Sequence, residues 1–575
     1  MKRADPIIAL VFAAIVAYYA ATPGIFEGKA SGDGIDGFLY LKGIVFNHSL
    51  DLGVTAPDRA AHLALAPEVT GHVANPVPIG VIPFWMPFYL LGLAIQGLLR
   101  MPITGRSTID YWFAGVGALS FGLAGAALLF ALLRRRFGLG AARFGTTGLL
   151  VATPLAWYLV TQPLYQHATA FFAVTLLIER WDAWRERPSI RDVVLLGAIG
   201  GIAMAVRIQA APWAALVGID LLLRAPDVRR ALRLALAFGA TATIAFAPQM
   251  LVWYWQFGAV RPPQPPGHMR WSDPAVVEVL FSTRAGLFPW SPVLYLAIPG
   301  ILLAGRRWRA LAAVTGIGFA LQAFINASAW DFHASYTFGA RRFVDGGFAF
   351  AVGLAAVYGA MRAQWRRSAT AALWLACIAA AVLNLTLMEA VRTRRLWDSA
   401  AVAAPASEYV RHLGGPRWLA AALGRTGYPF VQPAGWIWAA VHRASPSTFE
   451  AVVGNYIVDR DFRMRNFLLH PAEVPVALGS PYRIDDGGAR VRVLFPMQNS
   501  EPLRLSIVGS FPRHDTCRLA WNGRPLDALP RVSAFSARVP ADWVRTRSRT
   551  NELTIEGLGE GATLDRIEVG VDPWR

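Results

Sequence analysis

The sequence predicts a polytopic α-helical membrane protein that ends in an all-β sandwich domain. Apolar residues make up 55% of the chain and charged residues only 16%, which is atypical of a soluble protein of 575 residues. Apolar runs of about 20 residues, the length that spans a bilayer core, recur through the first 390 positions. From residue 451 onward, polar and apolar residues alternate with a period of two, as half-buried strands do.

The membrane domain is expected to cover residues 1–390, with about 11–13 transmembrane helices. Its apolar segments run through 6–22, 78–98, 112–133, 144–160, 164–179, 193–206, 208–223, 232–255, 290–304, 309–327, 346–361 and 370–390. The first segment resembles a signal peptide, but no small-residue cleavage site is compelling, so we expect an uncleaved helix. The proline-containing segment 78–98 leaves open whether it crosses the membrane fully.

The net charge of +18 is attributed to membrane orientation, and no nucleic-acid partner is expected. The arginine-rich linkers "RRRFG", "RRALR", "GRRWR" and "RAQWRR" stand between apolar runs, and the positive-inside rule places such linkers in the cytosol. The same rule places the first loop, residues 23–77, on the external side. Everything after residue 391 is expected there as well.

The chain changes character after the last apolar segment. Residues 391–450 mix Trp- and Ala-rich patches with Pro and Gly and are expected to form a membrane-surface or linker region. Residues 451–575 are expected to form an external β-sandwich. Its predicted strands are 489–495, 504–511, 517–521 before the turn Asn522-Gly523, 553–558 and 566–571, and spaced strands with such turns indicate antiparallel sheets.

The first external loop carries two closely spaced acids, Asp33 and Asp36, among three glycines. A loop of this length is long for a simple connector, and long loops tend to be functional. One interpretation is a solvated loop in which Asp33 caps the following helix. The other is a carboxylate at the membrane surface that acts as a general base or a metal ligand. The residues alone leave both open.

Four arginines fall at the expected external ends of helices, against the positive-inside bias: Arg207, Arg284, Arg341 and Arg342. Guanidinium binds phosphate bidentately, so these positions suggest an anion site. The alternative is internal pairing, for example of Arg342 with Asp345 or Asp331. His167 stands at the external start of a helix and is either a packing residue or a ligand-binding one.

Familiar cofactor templates are missing from the sequence. The chain contains no CxxC, HExxH or Walker-type loop. Its two cysteines, Cys377 and Cys517, suggest neither a disulfide framework nor a metal cluster. We therefore expect no certain cofactor and leave a divalent cation open, with its ligands unknown.

Five stretches together resemble the signatures of the bacterial GT-C glycosyltransferase superfamily. They occur in the same order as in the family, and the resemblance spans residues 10–360. The stretches are "GDGIDGFLYLKGIVFNHSLDL", "TGHVANPVPIGVIPFWMPFYLL", "PLYQHATAFF", "FSTRAGLFPWSPVL" and "SYTFGARRFVD". Relatives in that superfamily include protein O-mannosyltransferases and lipid A aminoarabinose transferases.

The resemblance implies a GT-C fold in a bacterial inner membrane, with the C-terminal domain periplasmic. It implies transfer of a sugar from a polyprenyl-phosphate carrier to a glycan, lipid or protein acceptor of the envelope, in contact with membrane lipid. On that pattern Asp33 is the catalytic base, and Arg284, Arg341 and Arg342 bind the carrier phosphate. Asp36 has no clear counterpart in the family and is expected either to assist Asp33 in catalysis or to bind a cation. Arg207 is expected to join the phosphate site because of its position at an external helix end. Substrate contacts are expected from Tyr40, Asn75, His167, Trp290 and Asp345.

Some positions depart from the family pattern. Gly37 and Phe38 replace family tyrosines, Gln166 replaces a serine and Ala285 replaces a histidine, which affects the sugar and acceptor contacts more than the fold. Two other classes of protein remain open. One is a secondary transporter, although the two halves show no similarity to each other, and the other is a non-catalytic assembly protein for envelope polysaccharide.

Overall fold

The computed structural model describes most of the helical part of the chain and the strands of its C-terminal part. The described residues are 5–21, 33–63, 65–262, 276–281, 286–329, 338–392, isolated positions between 269 and 274, and, from 467 onward, the strands with adjoining turns. The predicted linker region 391–450 lies outside them, apart from its first two residues. The chain forms two compact units, and the first consists of Met1–Pro265, Val293–Gln322 and Arg341–Leu385.

Seventeen α-helices occur among the described residues. They are α1 Pro6–Ala21, α2 Asp33–Lys42, α3 Leu52–Thr55, α4 Pro57–His62, α5 Ile82–Leu98, α6 Thr108–Phe137, α7 Leu139–Val151, α8 Leu155–Val160, α9 His167–Trp184, α10 Ile190–Val206, α11 Ala211–Leu223, α12 Val228–Phe257, α13 Val276–Phe281, α14 Leu287–Trp290, α15 Leu294–Ala304, α16 Arg309–Ser328 and α17 Gly347–Arg392.

Four helical stretches are long and apolar enough to cross a bilayer by length and composition: Thr108–Phe137, Val228–Phe257, Arg309–Ser328 and Ser368–Glu389. Shorter apolar helices lie at Pro6–Ala21, Ile82–Leu98, Ile208–Leu223 and Leu294–Ala304. The prediction of a mostly helical chain with membrane-spanning segments is confirmed.

Three predicted segments are divided or joined differently in the structure. The single segment 144–160 is divided into α7 and α8, because Pro154 disfavours helical geometry at the preceding Thr153. The two segments 346–361 and 370–390 are instead one helix, α17. No proline interrupts it, and the Arg362–Arg367 stretch between the two apolar runs is rich in good helix formers.

Helix α6 lies antiparallel to α1. Near one end of the pair, the Tyr19 hydroxyl donates a 2.7 Å hydrogen bond to the carbonyl of Trp112. Near the other end, Asp5 forms a 2.8 Å ion pair with Arg143, just after α6. The chain start and the arginine-rich end of α6 therefore lie on the same side.

Helix α5 packs along the first half of α6, antiparallel to it. Its late residue Gln96 donates to Asp110 at 2.6 Å, and its early residue Phe84 lies against Gly117 and stacks edge to face on Phe121, with ring centroids 4.9 Å apart. Helix α5 therefore lies beside the part of α6 that is distant from the arginine-rich stretch "RRRFG".

The second unit includes the C-terminal β region. Its strands are β1 Phe467–His470, β2 Val474–Val476, β3 Tyr482–Arg483, β4 Val491–Pro496, β5 Leu503–Ser510, β6 Arg518–Trp521, β7 Arg524–Pro525, β8 Leu529–Pro530, β9 Ala534–Val539, β10 Thr550–Glu556 and β11 Thr563–Val571. They form two antiparallel sheets, in the orders β2-β1-β4-β10-β6-β7 and β3-β11-β5-β9-β8.

A single apolar core joins the two sheets. It contains Trp521 and Leu553 from one sheet with Leu505, Phe535 and Leu564 from the other. The five predicted strands correspond to β4, β5, β6, β10 and β11, and the predicted turn at Asn522-Gly523 has positive φ at both residues, as a type I′ hairpin requires. The predicted all-β sandwich is confirmed.

Candidate functional site

Among the described residues of the predicted first loop, the first element is helix α2, whose first residue is Asp33. Two residues of the helix approach neighbouring segments closely. A Cβ atom at Gly34 would lie 2.9 Å from Cδ2 of Tyr165, and one at Gly37 would lie 3.3 Å from Cζ3 of Trp85. Gly34 and Gly37 thus allow α2 to pack directly on the rings of Tyr165 and Trp85.

Asp36 is buried and forms a two-pronged ion pair with Arg59. Nε of Arg59 lies 2.7 Å from Oδ1 of Asp36, and Nη2 lies 2.9 Å from Oδ2. The side-chain exposures are 9% for Arg59 and 2% for Asp36, so water screens this pair little. The pair ties α2 to α4 within the loop. The pairing of Arg59 with Asp36 was not predicted, because 22 residues of loop separate the two in sequence.

Asn75 and Tyr40 complete the support of α2. Nδ2 of Asn75 donates a 2.8 Å hydrogen bond to the carbonyl of Asp36, and Oδ1 of Asn75 accepts a 3.2 Å hydrogen bond from the backbone N–H of Val77. The Tyr40 hydroxyl donates to the carbonyl of Val77 at 3.0 Å. Both residues were predicted to bind substrate, and in the structure both hold the loop segment 75–77 against α2.

The far part of the loop rests on the end of α12. His72 stacks on Trp255 with ring centroids 3.8 Å apart, and its Nδ1 lies 3.1 Å from Oδ2 of Asp51. Thr70 donates to the carbonyl of Gln256. With these contacts and those of Asp36, the loop is held at several points along its length, which fixes the position of α2.

The central polar cluster of the helical unit joins His167, Asp345 and Arg207. Nδ1 of His167 lies 3.0 Å from Oδ1 of Asp345, and Nε of Arg207 lies 2.6 Å from Oδ2. His167 and Asp345 are fully buried, and the Arg207 side chain is 11% exposed. The cluster therefore ties the start of α9, the end of α10 and the turn before α17 together.

Asp345 is held in its ionised form by this arrangement. Burial alone would raise the pKa of its carboxyl, but the Arg207 guanidinium and the His167 hydrogen bond hold that pKa below its ordinary value. Within the part of the chain that the structure describes, Nε2 of His167 has no hydrogen-bond partner. The terminal nitrogens of Arg207 likewise make none there, so they remain able to bind an anion.

Tyr165 connects the first loop to this cluster. Its ring lies against Gly34. The guanidinium of Arg341 lies over the ring, with Cζ 5.5 Å from the ring centroid. The ring is also nearly parallel to that of His167, with centroids 6.3 Å apart. The ring thus lies between the first turn of α2, which contains Asp33, and a predicted phosphate-binding arginine. Tyr165 was not among the predicted site residues, although it stands in the "PLYQHATAFF" stretch two residues before His167.

Arg341 and Arg342 lie in a 3-10 turn, Arg341–Phe343, immediately before Asp345. Arg341 is buried, with 7% of its surface exposed. The carbonyl of Arg342 accepts a 2.7 Å hydrogen bond from Nε2 of Gln322 on α16. This bond anchors the turn to the helical unit and positions both arginines.

Two further predicted site residues are Arg284 and Trp290. Arg284 lies outside the described residues. Trp290 belongs to the second unit, where it packs edge to face against Phe338 with ring centroids 5.1 Å apart. Among the described side chains, no three His, Cys, Asp or Glu are grouped so that they could hold a metal ion.

Comparison with known proteins gives similarity at the level of solved structures. No protein-family model matches the chain, and no curated protein matches it. Two crystal structures of ArnT from Cupriavidus metallidurans are similar to it, one in the apo state and one bound to undecaprenyl phosphate. Their sequence identities are 16% and 17%, respectively. Each alignment covers 75% of this chain and 80% of the other, with a TM-score of 0.38. A similarity of this degree carries no functional assignment for this chain.

Proposed function

We propose that this chain is an integral membrane glycosyltransferase that takes a sugar from a polyprenyl-phosphate carrier and passes it to an envelope acceptor. The observation that carries the proposal is the position of the Tyr165 ring, which contacts both Gly34, next to Asp33, and the guanidinium of Arg341. The first turn of α2, which includes the predicted base Asp33, and the buried Arg341 therefore meet at one aromatic ring, and such a transfer needs a base and a cation close together.

In the proposed reaction, the carrier phosphate is the leaving group. Arg341 and Arg342, with the terminal nitrogens of Arg207, stabilise the negative charge that develops on it as the bond to the sugar breaks. The Asp33 carboxylate takes the proton of the acceptor hydroxyl, which forms the new glycosidic bond in the same step. A single displacement of this kind inverts the anomeric centre, so a product with the donor's configuration would exclude it.

The supporting residues receive positioning roles in this proposal. Asp36, whose two oxygens are both bound by Arg59, holds α2 in place. Asp345 orients Arg207 and His167 through its two oxygens. The prediction that Asp36 is itself catalytic stays open, and substitution of Asp33 and Asp36 separately distinguishes the two acids.

The direct test is incubation of the purified full-length protein with a panel of polyprenyl-phosphate sugars. Release of free carrier phosphate that depends on an added acceptor supports a transferase. The Arg341→Gln variant should bind polyprenyl phosphate more weakly, and Arg229→Gln, at the opposite end of the helices, is the matched control. If no donor releases phosphate while the protein moves a solute across vesicle membranes, the chain is a transporter and the proposal is wrong.

A further inference from the structure

A cavity lined mainly by polar residues lies at the arginine-rich end of the helices. It has a volume of about 310 Å³ and lies among the ends of α6, α9 and α11 and the turn between α15 and α16. Six arginines line it, against two acids, Asp182 and Glu186. The proposed transfer site uses none of these residues, and α6 separates the two ends of the unit.

Three of the six arginines are neutralised by neighbouring carboxylates. Arg136 forms a 2.8 Å ion pair with Asp182. Arg185 lies 2.9 Å from Glu186, and Arg224 lies 3.1 Å from Asp220. These pairs build a rigid wall on one side of the cavity, because Asp182 is almost fully buried.

The other three arginines, Arg306, Arg307 and Arg309, are exposed and make no ion pair within the described part of the chain. Trp308, between them in sequence, holds the turn in place. Its ring lies between the guanidinium of Arg136, at 4.6 Å, and that of Arg307, at 5.1 Å, both within the range of cation–π attraction. Three uncompensated positive charges are thus held at the rim of a formed cavity.

The surface beside the cavity is apolar. Leu223, directly before Arg224, is 82% exposed, and Leu302, one helical turn before Arg306, is 76% exposed. An amphiphile with an anionic head and acyl chains matches both surfaces, since basic pockets between membrane helices recognise anionic lipid head groups. The positive-inside rule accounts for arginines at this end, but it does not require them to surround a cavity.

We propose that this cavity binds the phosphate head group of an anionic membrane phospholipid. Arg306, Arg307 and Arg309 contact the phosphate oxygens, and Leu223 and Leu302 contact the acyl chains. The bound lipid would bridge α11 and the α15–α16 turn, which are distant in sequence.

The test compares two double variants of the full-length protein, purified in a neutral detergent and freed of lipid. Arg306→Gln with Arg309→Gln removes two charges from the cavity rim. Arg229→Gln with Arg233→Gln removes two exposed charges from the start of α12, outside the cavity. Binding is measured as the rise in unfolding temperature on titration with phosphatidylglycerol, with phosphatidylcholine and inorganic phosphate as separate arms, and as lipid retained in native mass spectra.

We expect phosphatidylglycerol alone to stabilise the wild-type protein. The rim variant should lose about tenfold or more in affinity for it, and the α12 variant should stay within about twofold. Arg306→Lys with Arg309→Lys should retain most of the affinity, because the positive charges remain, and an unchanged unfolding temperature without lipid checks that the rim variant is folded. Equal losses of affinity in the two double variants would mean that phosphatidylglycerol binds to general surface charge. An equal rise in unfolding temperature with inorganic phosphate would mean that free phosphate is the ligand. Either result overturns the proposal.

Discussion

Oδ1 of Asp345 lies 3.0 Å from Nδ1 of His167, and both side chains are completely buried. The other carboxylate oxygen of Asp345 accepts from Nε of Arg207 at 2.6 Å. A carboxylate with both oxygens bound inside a protein is costly to disturb, because removal of one partner leaves a buried charge without compensation. The arrangement leads to two predictions on stability, and the first loop to two on activity.

Asp345→Asn should destabilise the protein by about 3–5 kcal/mol, because Arg207 then keeps its charge without the carboxylate. The measurement is thermal unfolding of the purified protein in detergent. Asp58→Asn is the matched control, since Asp58 is 65% exposed in its pair with Arg106 and such pairs contribute at most about 1 kcal/mol. Equal shifts in the two variants would contradict a stabilising role for the buried cluster.

The same carboxylate predicts an acid-sensitive contribution to stability. The pKa of Asp345 is lowered in the folded protein, so its contribution is fully present above its unfolded pKa of about 4. It is lost as pH falls through the lower, folded pKa. We expect the unfolding temperature of the wild type to decline below about pH 4, and the decline to be smaller in Asp345→Asn. Parallel pH profiles would rule out this linkage.

Asp33→Asn should lower the rate of sugar transfer by about 10²–10⁴-fold, the usual contribution of a general base, with little change in unfolding temperature. Asp58→Asn on the same loop should transfer sugar at the wild-type rate. Asp36→Asn should lower the unfolding temperature as well as the rate, because it leaves Arg59 buried without its carboxylate. Wild-type activity in Asp33→Asn would remove Asp33 from the mechanism.

Gly34→Ala should reduce transfer without unfolding the protein. The new methyl group would lie 2.9 Å from Cδ2 of Tyr165, so the ring must move away from α2 and change its contact with Arg341. Gly239→Ala on α12 is the control, because no atom outside its own helix neighbourhood lies within 4 Å of that position. The readouts are acceptor-dependent carrier release and unfolding temperature, and unchanged release would argue against a role for the Tyr165 contact.

Local patterns predicted the long helices and five of the eleven described strands. Strand β5, Leu503–Ser510, differs by one residue from the predicted 504–511, because period-two alternation is a property of neighbouring residues. The prediction of two helices in place of α17 was wrong, because hydropathy is also averaged over neighbouring residues only. A window of hydropathy ends at the charged stretch around Arg362, whereas the backbone hydrogen bonds of a helix continue through it.

The residues of the candidate site were predictable by type and by end of the helix, but their partners were not. The sequence suggested pairing of Asp345 with Arg342, three residues away. In the structure both of its carboxylate oxygens are bound by His167 and Arg207, which are 178 and 138 residues away. Tyr165 was missed because an aromatic residue in an apolar stretch has no distinguishing signal until its neighbours are known.

Hydrophobic length and period are local properties of the chain, so the apolar helical part and the C-terminal β region can be predicted from the sequence alone. The sequence also shows which acids stand in the first loop and which arginines stand at helix ends. The tertiary structure is needed to see that α5 packs beside the first half of α6 and that Gly34 and Arg341 contact the same ring. It is also needed to see that Arg306, Arg307 and Arg309 line a cavity. Each of these depends on contacts between distant segments, whose geometry no local pattern records.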